Sequence, residues 1–214
     1  MVMAREIIAD KAVWTAKKRY IAHVWDSEGV RYAEPKLKIM GIEAVKSSTP
    51  APCRQMIKDG LKLVMSGTED EVIEFIENSR KSFGALPVEE ISFPRSVSSV
   101  TKYKGINTIY AKGTPMHCRG ALLYNFYIKE RGLGKKYAPI QNGDKIKFCY
   151  LKSPNPTREN VISFIQDFPK ELDLERYVDY EMQFNKAFLD PLRVILDAIG
   201  WSVEKKITLE SFFS

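Results

Sequence analysis

The stretch KAVWTAKKRYIAHVW, residues 11–25, decides the fold of the N-terminal part of this chain. It is rich in β-branched and aromatic residues, which favour strands. Asp26–Gly29 has the composition of a turn, and residues 30–32 resume the strand pattern. The sequence therefore predicts a β-hairpin that extends a larger sheet or packs on other elements, because a single hairpin is barely stable in water.

Two helices are predicted after this hairpin. Residues 47–50, Ser-Ser-Thr-Pro, provide N-cap residues followed by proline and predict a helix over 50–66. Thr68 and Glu71 form a capping-box pattern, which predicts a second, acidic helix that ends near Phe83.

The remainder alternates between helical and strand patterns. A short strand is predicted over 88–93 within an irregular region, a buried helix over 115–131, and a long helix over 174–199 with a kink at Pro191 and a stop at Gly200. The β signals are a hairpin at Asn142-Gly143, between residues 138–140 and 145–150, and a strand over 161–164. The fold class predicted is α+β.

Positive charge is segregated along the chain. The net charge is +6 over 214 residues, and the segment Lys11–Lys38 carries seven Lys and Arg against three Asp and Glu. Lys102–Lys152 carries eleven against two, whereas residues 69–90 and 167–190 are acidic. Such a surface concentrates polyanions and favours a nucleic-acid partner. On composition alone, an ordinary solvated basic surface is an equally good interpretation.

Several other classes of protein are disfavoured. The three cysteines, Cys53, Cys118 and Cys149, are odd in number and far apart, which argues against a disulfide framework or a zinc cluster. With only His23 and His117 beside them, no metal site is predicted. The longest apolar runs are far shorter than the ~20 residues of a membrane-spanning helix, so a soluble, cytoplasmic protein without a membrane partner is expected.

The most specific local feature is the tetrapeptide Lys17-Lys18-Arg19-Tyr20, which falls within a predicted strand. Side chains alternate across a strand, so Lys18 and Tyr20 are expected on one face and Lys17 and Arg19 on the other. A cation beside an aromatic ring suits a duplex, with phosphate on the cation and a sugar or base edge on the ring. For the tetrapeptide in isolation, a solvated basic strand is the favoured alternative.

Further segments occur with this tetrapeptide in a fixed order: residues 34–43, 47–50, 118–125, 142–145 and 188–192. Together they resemble family B DNA polymerases of T-even-type phages and their marine relatives, over nearly the whole chain. The resemblance implies that residues 1–46 are the C-terminal part of the palm, with a palm-derived β-hairpin. It implies that 47–202 form a mostly helical thumb with a small β element, and that 203–214 are a tail.

The same resemblance implies a set of DNA contacts. Lys18 and Tyr20 would contact the primer strand near its 3′ end, and Lys17 and Arg19 would support them or touch phosphate. The other expected DNA-binding residues are Lys38, Ser47, Ser48, Thr49 and Arg119. The three hydroxyl residues suit a phosphate at a helix N-terminus, with a simple helix cap as an equal alternative. Arg119 would contact phosphates of the product duplex, and an internal salt bridge is its alternative.

The chain departs from the family pattern at the catalytic aspartates. These polymerases use two divalent metal ions, held in part by an Asp-Thr-Asp hairpin that precedes the Lys-Lys-Arg-Tyr strand. This sequence has no Asp-Thr-Asp, and Asp10 is the one aspartate before Lys17. We therefore expect no catalytic residue, no cofactor bound by this chain alone and no activity alone, with Mg²⁺ acting in the complete polymerase. An N-terminal partner chain carrying the exonuclease, fingers and catalytic palm would complete a split polymerase; a truncated reading frame is the alternative.

Residues 206–213, KITLESFF, match the sliding-clamp-binding peptide of polymerases except that Lys206 stands where Gln is usual. Leu209, Phe212 and Phe213 are the expected anchors, because one turn brings an aliphatic and two aromatic side chains to the same side. The alternative is a tail that packs on its own domain.

The predicted function is to grip primer–template DNA in replication and to tether a polymerase to a sliding clamp. A free-standing nucleic-acid-binding regulatory protein is the main alternative. A self-sufficient enzyme is disfavoured, because its best carboxylate pair, Asp179 and Glu181, would not face one way on a helix.

Overall fold

The computed structural model describes residues 5–205, so the predicted clamp-binding residues Leu209, Phe212 and Phe213 lie outside the described residues. The described chain forms two compact units. The first comprises the described residues up to Lys46, Cys53–Ser82, and the described residues from Lys186 onward; the second comprises Ser47–Pro52 and Phe83–Asn185. Each unit contains helices and a three-stranded antiparallel sheet, which confirms the α+β class.

The sheet of the first unit contains β1 (Ile7–Ala16), β2 (Arg19–Ser27) and β3 (Val30–Met40), in that order. The hairpin of β2 and β3 is the predicted one, and the buried Asp26 carboxylate accepts the Gly29 N–H at 3.0 Å in its turn. The expectation of a single strand through residues 11–25 is wrong, because Lys17 and Lys18 form a turn. Ala16 pairs with Arg19, and Lys18 has a left-handed backbone with φ 60°.

Gly41 holds the end of β3 beside this turn. Its φ is 69°, and a Cβ there would lie 2.2 Å from the Lys18 carbonyl oxygen. The close backbone approach therefore requires glycine.

Two helices follow as predicted, α1 (Ala51–Ser66) and α2 (Glu69–Gly84). The capping box is confirmed: the Thr68 N–H donates to Glu71 Oε2 at 2.8 Å and the Glu71 N–H donates to Thr68 Oγ1 at 3.3 Å. In the core of the first unit, Phe75 packs edge-on against Phe188 with ring centroids 6.3 Å apart.

The second unit contains α3 (Val88–Ile91), β4 (Phe93–Ser96), α4 (Met116–Glu130), β5 (Lys145–Tyr150) and β6 (Val161–Phe164). Its strand order is β4-β5-β6, and α4 packs against β6. Gly120 permits this contact, because a Cβ there would lie 2.4 Å from Ser163 Oγ. Helix α4 and strand β6 are confirmed predictions.

Two β predictions in this unit are wrong. Residues 88–93 begin with a helical turn, and the strand starts only at Phe93. The Asn142-Gly143 turn does not pair residues 138–140 with β5; instead β5 pairs with β4. The reason is that the Ile140 N–H donates to Asn125 Oδ1 at 2.7 Å and is not available to a ladder.

The predicted helix over 174–199 is broken into α5 (Tyr180–Phe184), a π-helical turn (Asn185–Leu189) and α6 (Asp190–Ala198). Asp179 caps α5 by accepting the Met182 N–H at 3.0 Å. Pro191 lacks an N–H, and the chain widens into the π-turn just before it, so the predicted irregularity is confirmed while the continuous helix is wrong. Gly200, with φ 76°, follows the end of α6 as predicted.

None of the helices within residues 5–205 is long and apolar enough to cross a membrane.

Candidate nucleic-acid interface

The turn between β1 and β2 presents two cations. Lys17 and Lys18 are exposed, and neither ammonium group has a hydrogen bond or ion pair within residues 5–205. Because Lys18 lies in the turn, it does not alternate with Tyr20 along one strand as predicted. Both lysines are therefore available to an external anion.

Arg19 differs from its two neighbours because it is already paired. Its Nη1 and Nη2 donate to the two carboxylate oxygens of Glu43 at 3.3 and 2.7 Å, and Lys46 Nζ lies 2.8 Å from Glu43 Oε1. Burial acts to raise the pKa of Glu43, but the Lys46 hydrogen bond and the Arg19 charge hold it below the ordinary value. Arg19 thus fastens the start of β2 to the segment after β3, which suits a supporting role.

An exposed aromatic face lies beside the lysine turn. Trp14 and Tyr20 are opposite each other on β1 and β2, with ring centroids 5.8 Å apart, and Met40 is opposite Tyr20 on β3. Trp14 is 63% exposed and Met40 is 40% exposed. Lys38 precedes Met40 by two residues and shares its face, with its Nζ 3.9 Å from Glu6. We call Trp14, Tyr20, Met40 and Lys38 the aromatic face.

Trp14 and Met40 were not among the predicted binding residues. Placing the two-residue turn at Lys17 and Lys18 would have revealed them, since that register sets Trp14 opposite Tyr20.

The three predicted hydroxyl residues before α1 are not presented together. Ser47 is exposed, Ser48 is half-buried and Thr49 is buried. The Ser48 carbonyl accepts a hydrogen bond from Arg95 Nη1 at 2.9 Å. Only Ser47 offers an exposed side chain among the three.

Arg119 lies in the first turn of α4, in the second unit. Its Nη2 donates to Asn160 Oδ1 and lies 3.2 Å from the sulfur of Met116, and its guanidinium lies over the Tyr110 ring at 5.5 Å. The Tyr110 hydroxyl donates to Glu159 at 2.7 Å, and burial with this hydrogen bond raises the pKa of Tyr110. Within the described residues Arg119 forms no ion pair, so the internal salt bridge given as the alternative to a phosphate contact is absent there. The guanidinium is held in place by neutral groups, so no carboxylate within residues 5–205 neutralises its charge.

The remaining basic residues of Lys102–Lys152 fall into two groups. Arg131 lies 3.8 Å from Asp173, Lys136 pairs with Glu171, and Lys147 donates to the Glu89 carbonyl at 2.9 Å. Seven others form no ion pair within residues 5–205: Lys102, Lys104, Lys112, Lys129, Lys135, Lys145 and Lys152. These seven lysines therefore carry positive charge that no ion pair within residues 5–205 neutralises.

Other site chemistries find little support in the described chain. No group of three or more His, Cys, Asp or Glu side chains within residues 5–205 is arranged to hold a metal ion. Cys53, Cys118 and Cys149 are free and buried, and burial raises the pKa of the Cys53 and Cys149 thiols to about 12.

Comparison with known proteins identifies two phage DNA polymerases. The chain is 32% identical over 204 residues to the DNA-directed DNA polymerase of Enterobacteria phage T4, an alignment that covers 94% of this chain and 22% of that protein. It is 34% identical over 227 aligned positions to that of Escherichia phage RB69, covering 100% of this chain and 24% of that protein. The chain thus spans about a quarter of the length of these curated relatives and is related to a segment of each. No protein-family model matches the chain.

Proposed function

We propose that this chain is the palm and thumb segment of a family B, phage-type DNA polymerase and that it grips primer–template duplex. The observation that carries the proposal is the unpaired lysine turn beside the aromatic face, in a chain similar along its length to two polymerases named for acting on DNA. The predicted division into palm up to residue 46, thumb over 47–202 and tail over 203–214 is part of this proposal.

In this proposal the two features of the first unit act on different parts of the primer strand. Lys17 and Lys18 bind backbone phosphates, because both ammonium groups are exposed and unpaired within the described residues. Tyr20 and Trp14 lie against sugar and base edges, where the two neighbouring rings, tilted by 33° to each other, offer apolar contact. Arg19 holds the turn in place through Glu43.

The second unit supplies further phosphate contacts. Arg119 and the unpaired lysines of Lys102–Lys152 attract the product duplex without reading its sequence. Phosphate-dominated binding predicts a steep loss of affinity with salt and little sequence preference.

The chemical step belongs to a partner in this proposal. Nucleotidyl transfer uses carboxylate-bound Mg²⁺, and this chain lacks the Asp-Thr-Asp motif expected to hold it. An N-terminal chain or segment with the exonuclease, fingers and catalytic palm supplies those aspartates, and this chain positions the duplex.

The experiment that tests the proposal combines binding and extension. Fluorescence anisotropy with a labelled primer–template duplex should give an affinity that falls steeply between low and physiological salt. Lys17→Ala with Lys18→Ala should reduce the log–log salt slope by about two, because two phosphate contacts are removed.

The matched control is Lys62→Ala with Lys81→Ala, which removes two exposed lysines of α1 and α2 and should leave the slope unchanged. Primer extension with Mg²⁺ and the purified chain should give no product. Salt-insensitive binding, a strong preference for one sequence or extension above a blank preparation would each contradict the proposal; sequence preference would favour a regulatory protein.

We also propose that the tail tethers the polymerase to a sliding clamp through Leu209, Phe212 and Phe213. Aromatic anchors lose ~2 kcal/mol or more on truncation, so Phe212→Ala with Phe213→Ala should weaken clamp binding at least roughly thirty-fold. Calorimetry against the cognate sliding clamp measures this, and duplex affinity should not change. Normal clamp binding, or unfolding of the double variant, would contradict the tether.

A further inference from the structure

A groove of about 1040 Å³ lies within the second unit, whereas the aromatic face belongs to the first. Its walls are the segment 100–109, one face of α4 and the turn at 140–142. Apolar side chains form much of the lining, among them Leu122, Phe126 and Ile140. Two of its lining residues, Lys104 and Lys129, are among the lysines of the proposed grip on DNA, but its apolar lining has no part in that grip.

One wall of the groove is fixed by hydrogen bonds. The Asn125 side chain donates to the Ile140 carbonyl at 2.8 Å and accepts its N–H at 2.7 Å. Asn142 Oδ1 accepts the Val100 N–H at 2.6 Å. These contacts join the turn at 140–142 to both other walls, so the groove is formed before any partner arrives.

The opposite wall presents an apolar side chain to solvent. Lys104 and Tyr110 form an isolated antiparallel β-bridge, and the Thr108 hydroxyl donates to the Tyr110 carbonyl at 2.8 Å. Together these contacts close a short loop. A Cβ at Gly105 would lie 2.1 Å from Thr108 Oγ1, so the loop is tight. This loop holds Ile106 outward, fully exposed. Phe126 across the groove is 43% exposed.

The groove has a definite charge. Lys104 and Lys129 line it, both are exposed, and neither forms an ion pair within residues 5–205. Among residues 5–205, no Asp or Glu lines the groove. An occupant should therefore bind more tightly if it carries negative charge at its edges and apolar side chains at its centre.

A nucleic-acid strand fits this chemistry less well than a peptide. The Asn125 and Asn142 side chains are already hydrogen bonded within the protein, which leaves the amides of Asn107 and Gln141 to contact an occupant. Phe126 is the one aromatic side chain that the described part of the chain contributes to the lining, so successive bases would find no stacking series there.

We propose that this groove binds an acidic peptide segment of a partner protein, with bulky apolar side chains between Ile106 and Phe126 and carboxylates beside Lys104 and Lys129. The inference does not depend on the proposed grip on duplex DNA.

The test selects a displayed library of random short peptides on the full chain, with counter-selection on the variant Lys104→Glu with Lys129→Glu. Enriched peptides should combine Asp or Glu with Leu, Phe or Trp. The most enriched peptide is then synthesised with a fluorophore and titrated by anisotropy. Ile106→Ser and the double Glu variant should each weaken binding at least roughly tenfold.

Controls separate this result from failures of folding and of the proposed function. Ile106 is fully exposed, so Ile106→Ser should unfold at the same denaturant concentration as the wild type. Lys135→Glu with Lys152→Glu makes the same charge change on exposed residues outside the lining and should bind the peptide normally. Lys17→Ala with Lys18→Ala should also bind the peptide normally, whatever its duplex affinity.

Four outcomes would overturn the inference. They are no enrichment over an empty support, enriched peptides without acidic residues, binding unaffected by Ile106→Ser, and tight binding of a thymidine oligonucleotide that Ile106→Ser abolishes. The last would assign the groove to single-stranded nucleic acid.

Discussion

The surroundings of Arg19 in the first unit and of Arg119 in the second differ in what each guanidinium contacts. Arg19 meets a carboxylate, Glu43, with both terminal nitrogens, whereas Arg119 meets an amide, a thioether and an aromatic ring. A bidentate carboxylate largely satisfies an arginine. An arginine held by neutral groups is positioned but still attracts anions. Arg19 is therefore part of the scaffold, and Arg119 is a candidate binding residue.

The backbone beside the Lys17 and Lys18 turn, in the first unit, is constrained as well as the Arg19 side chain. Gly41→Ala should destabilise the chain by ~3 kcal/mol, because its Cβ would meet the Lys18 carbonyl oxygen at 2.2 Å in a left-handed conformation. Gly113→Ala in the second unit is the matched control, because its φ is 83° and a Cβ there would have no non-neighbouring atom of residues 5–205 within 4 Å, and it should cost about 1 kcal/mol. Denaturant unfolding of both variants measures the difference. Equal destabilisation would show that the lysine turn does not depend on this contact.

The next largest effect is the loss of folding stability when Arg19 or Arg119 is replaced. Arg19→Ala leaves the partly buried Glu43 with Lys46 alone and should cost about 2 kcal/mol. Arg119→Ala removes contacts with neutral groups and should cost about 1 kcal/mol. Arg19→Lys keeps the charge but loses the bidentate geometry, so it should fall between wild type and Arg19→Ala. If Arg119→Ala were the more destabilising, the assignment of scaffold and binding roles would be reversed.

Sequence patterns predicted the parts of this fold that are governed locally. The capping box at Thr68 and Glu71 forms as expected, because both partners lie within one helical turn. The break at Pro191 has the same origin, since a missing N–H acts at its own position.

Features that depend on distant partners were not predictable from the sequence. The turn at 142–143 has hairpin composition, but the Ile140 N–H is taken by Asn125. Periodicity through residues 11–25 did not reveal the turn at Lys17 and Lys18, because Lys18 is not a residue type typical of φ 60°. That missed turn also concealed Trp14 and Met40, while the pairing of Arg19 with Glu43 spans 24 positions.

In DNA binding the order of the two arginines should be the reverse of their order in stability, so that Arg119→Ala has the larger effect. Arg119→Ala should lower the log–log salt slope for duplex binding by about one, as expected for one lost phosphate contact. Arg19→Ala should leave that slope nearly unchanged under conditions in which the variant is folded, because its charge already faces Glu43. Anisotropy titrations at several salt concentrations measure both slopes. A larger change for Arg19→Ala would mean that Arg19 exchanges Glu43 for phosphate when DNA binds.

The smallest expected effect is on stability in acid, where Glu171 of the second unit is compared with Glu43 of the first. Hydrogen bonds from Lys136 and Tyr137 lower the pKa of Glu171 to about 2, from an ordinary 4.5, and its side chain is 34% exposed. A carboxylate with a lowered folded-state pKa stabilises the fold fully above the ordinary value, and this contribution is lost as pH falls through the folded value. The window for Glu171 is therefore pH 4.5 down to about 2. Glu43 also has a lowered pKa, so its contribution is lost in acid as well.

Nuclear magnetic resonance titration of the side-chain carboxyl carbons should show Glu171 titrating near pH 2. Glu171→Gln should remove the acid dependence of unfolding that Glu171 contributes in that window, and this loss should be larger the further the measured pKa lies below the ordinary value. Glu43→Gln should also remove part of the acid dependence, because its carboxylate accepts from Arg19 as well as from Lys46 and its pKa is lowered. If Glu171 titrated at its ordinary value, the link from Lys136 and Tyr137 would not form in solution. Glu43 in the first unit would then be held by its ion pairs, whereas Glu171 in the second unit would not.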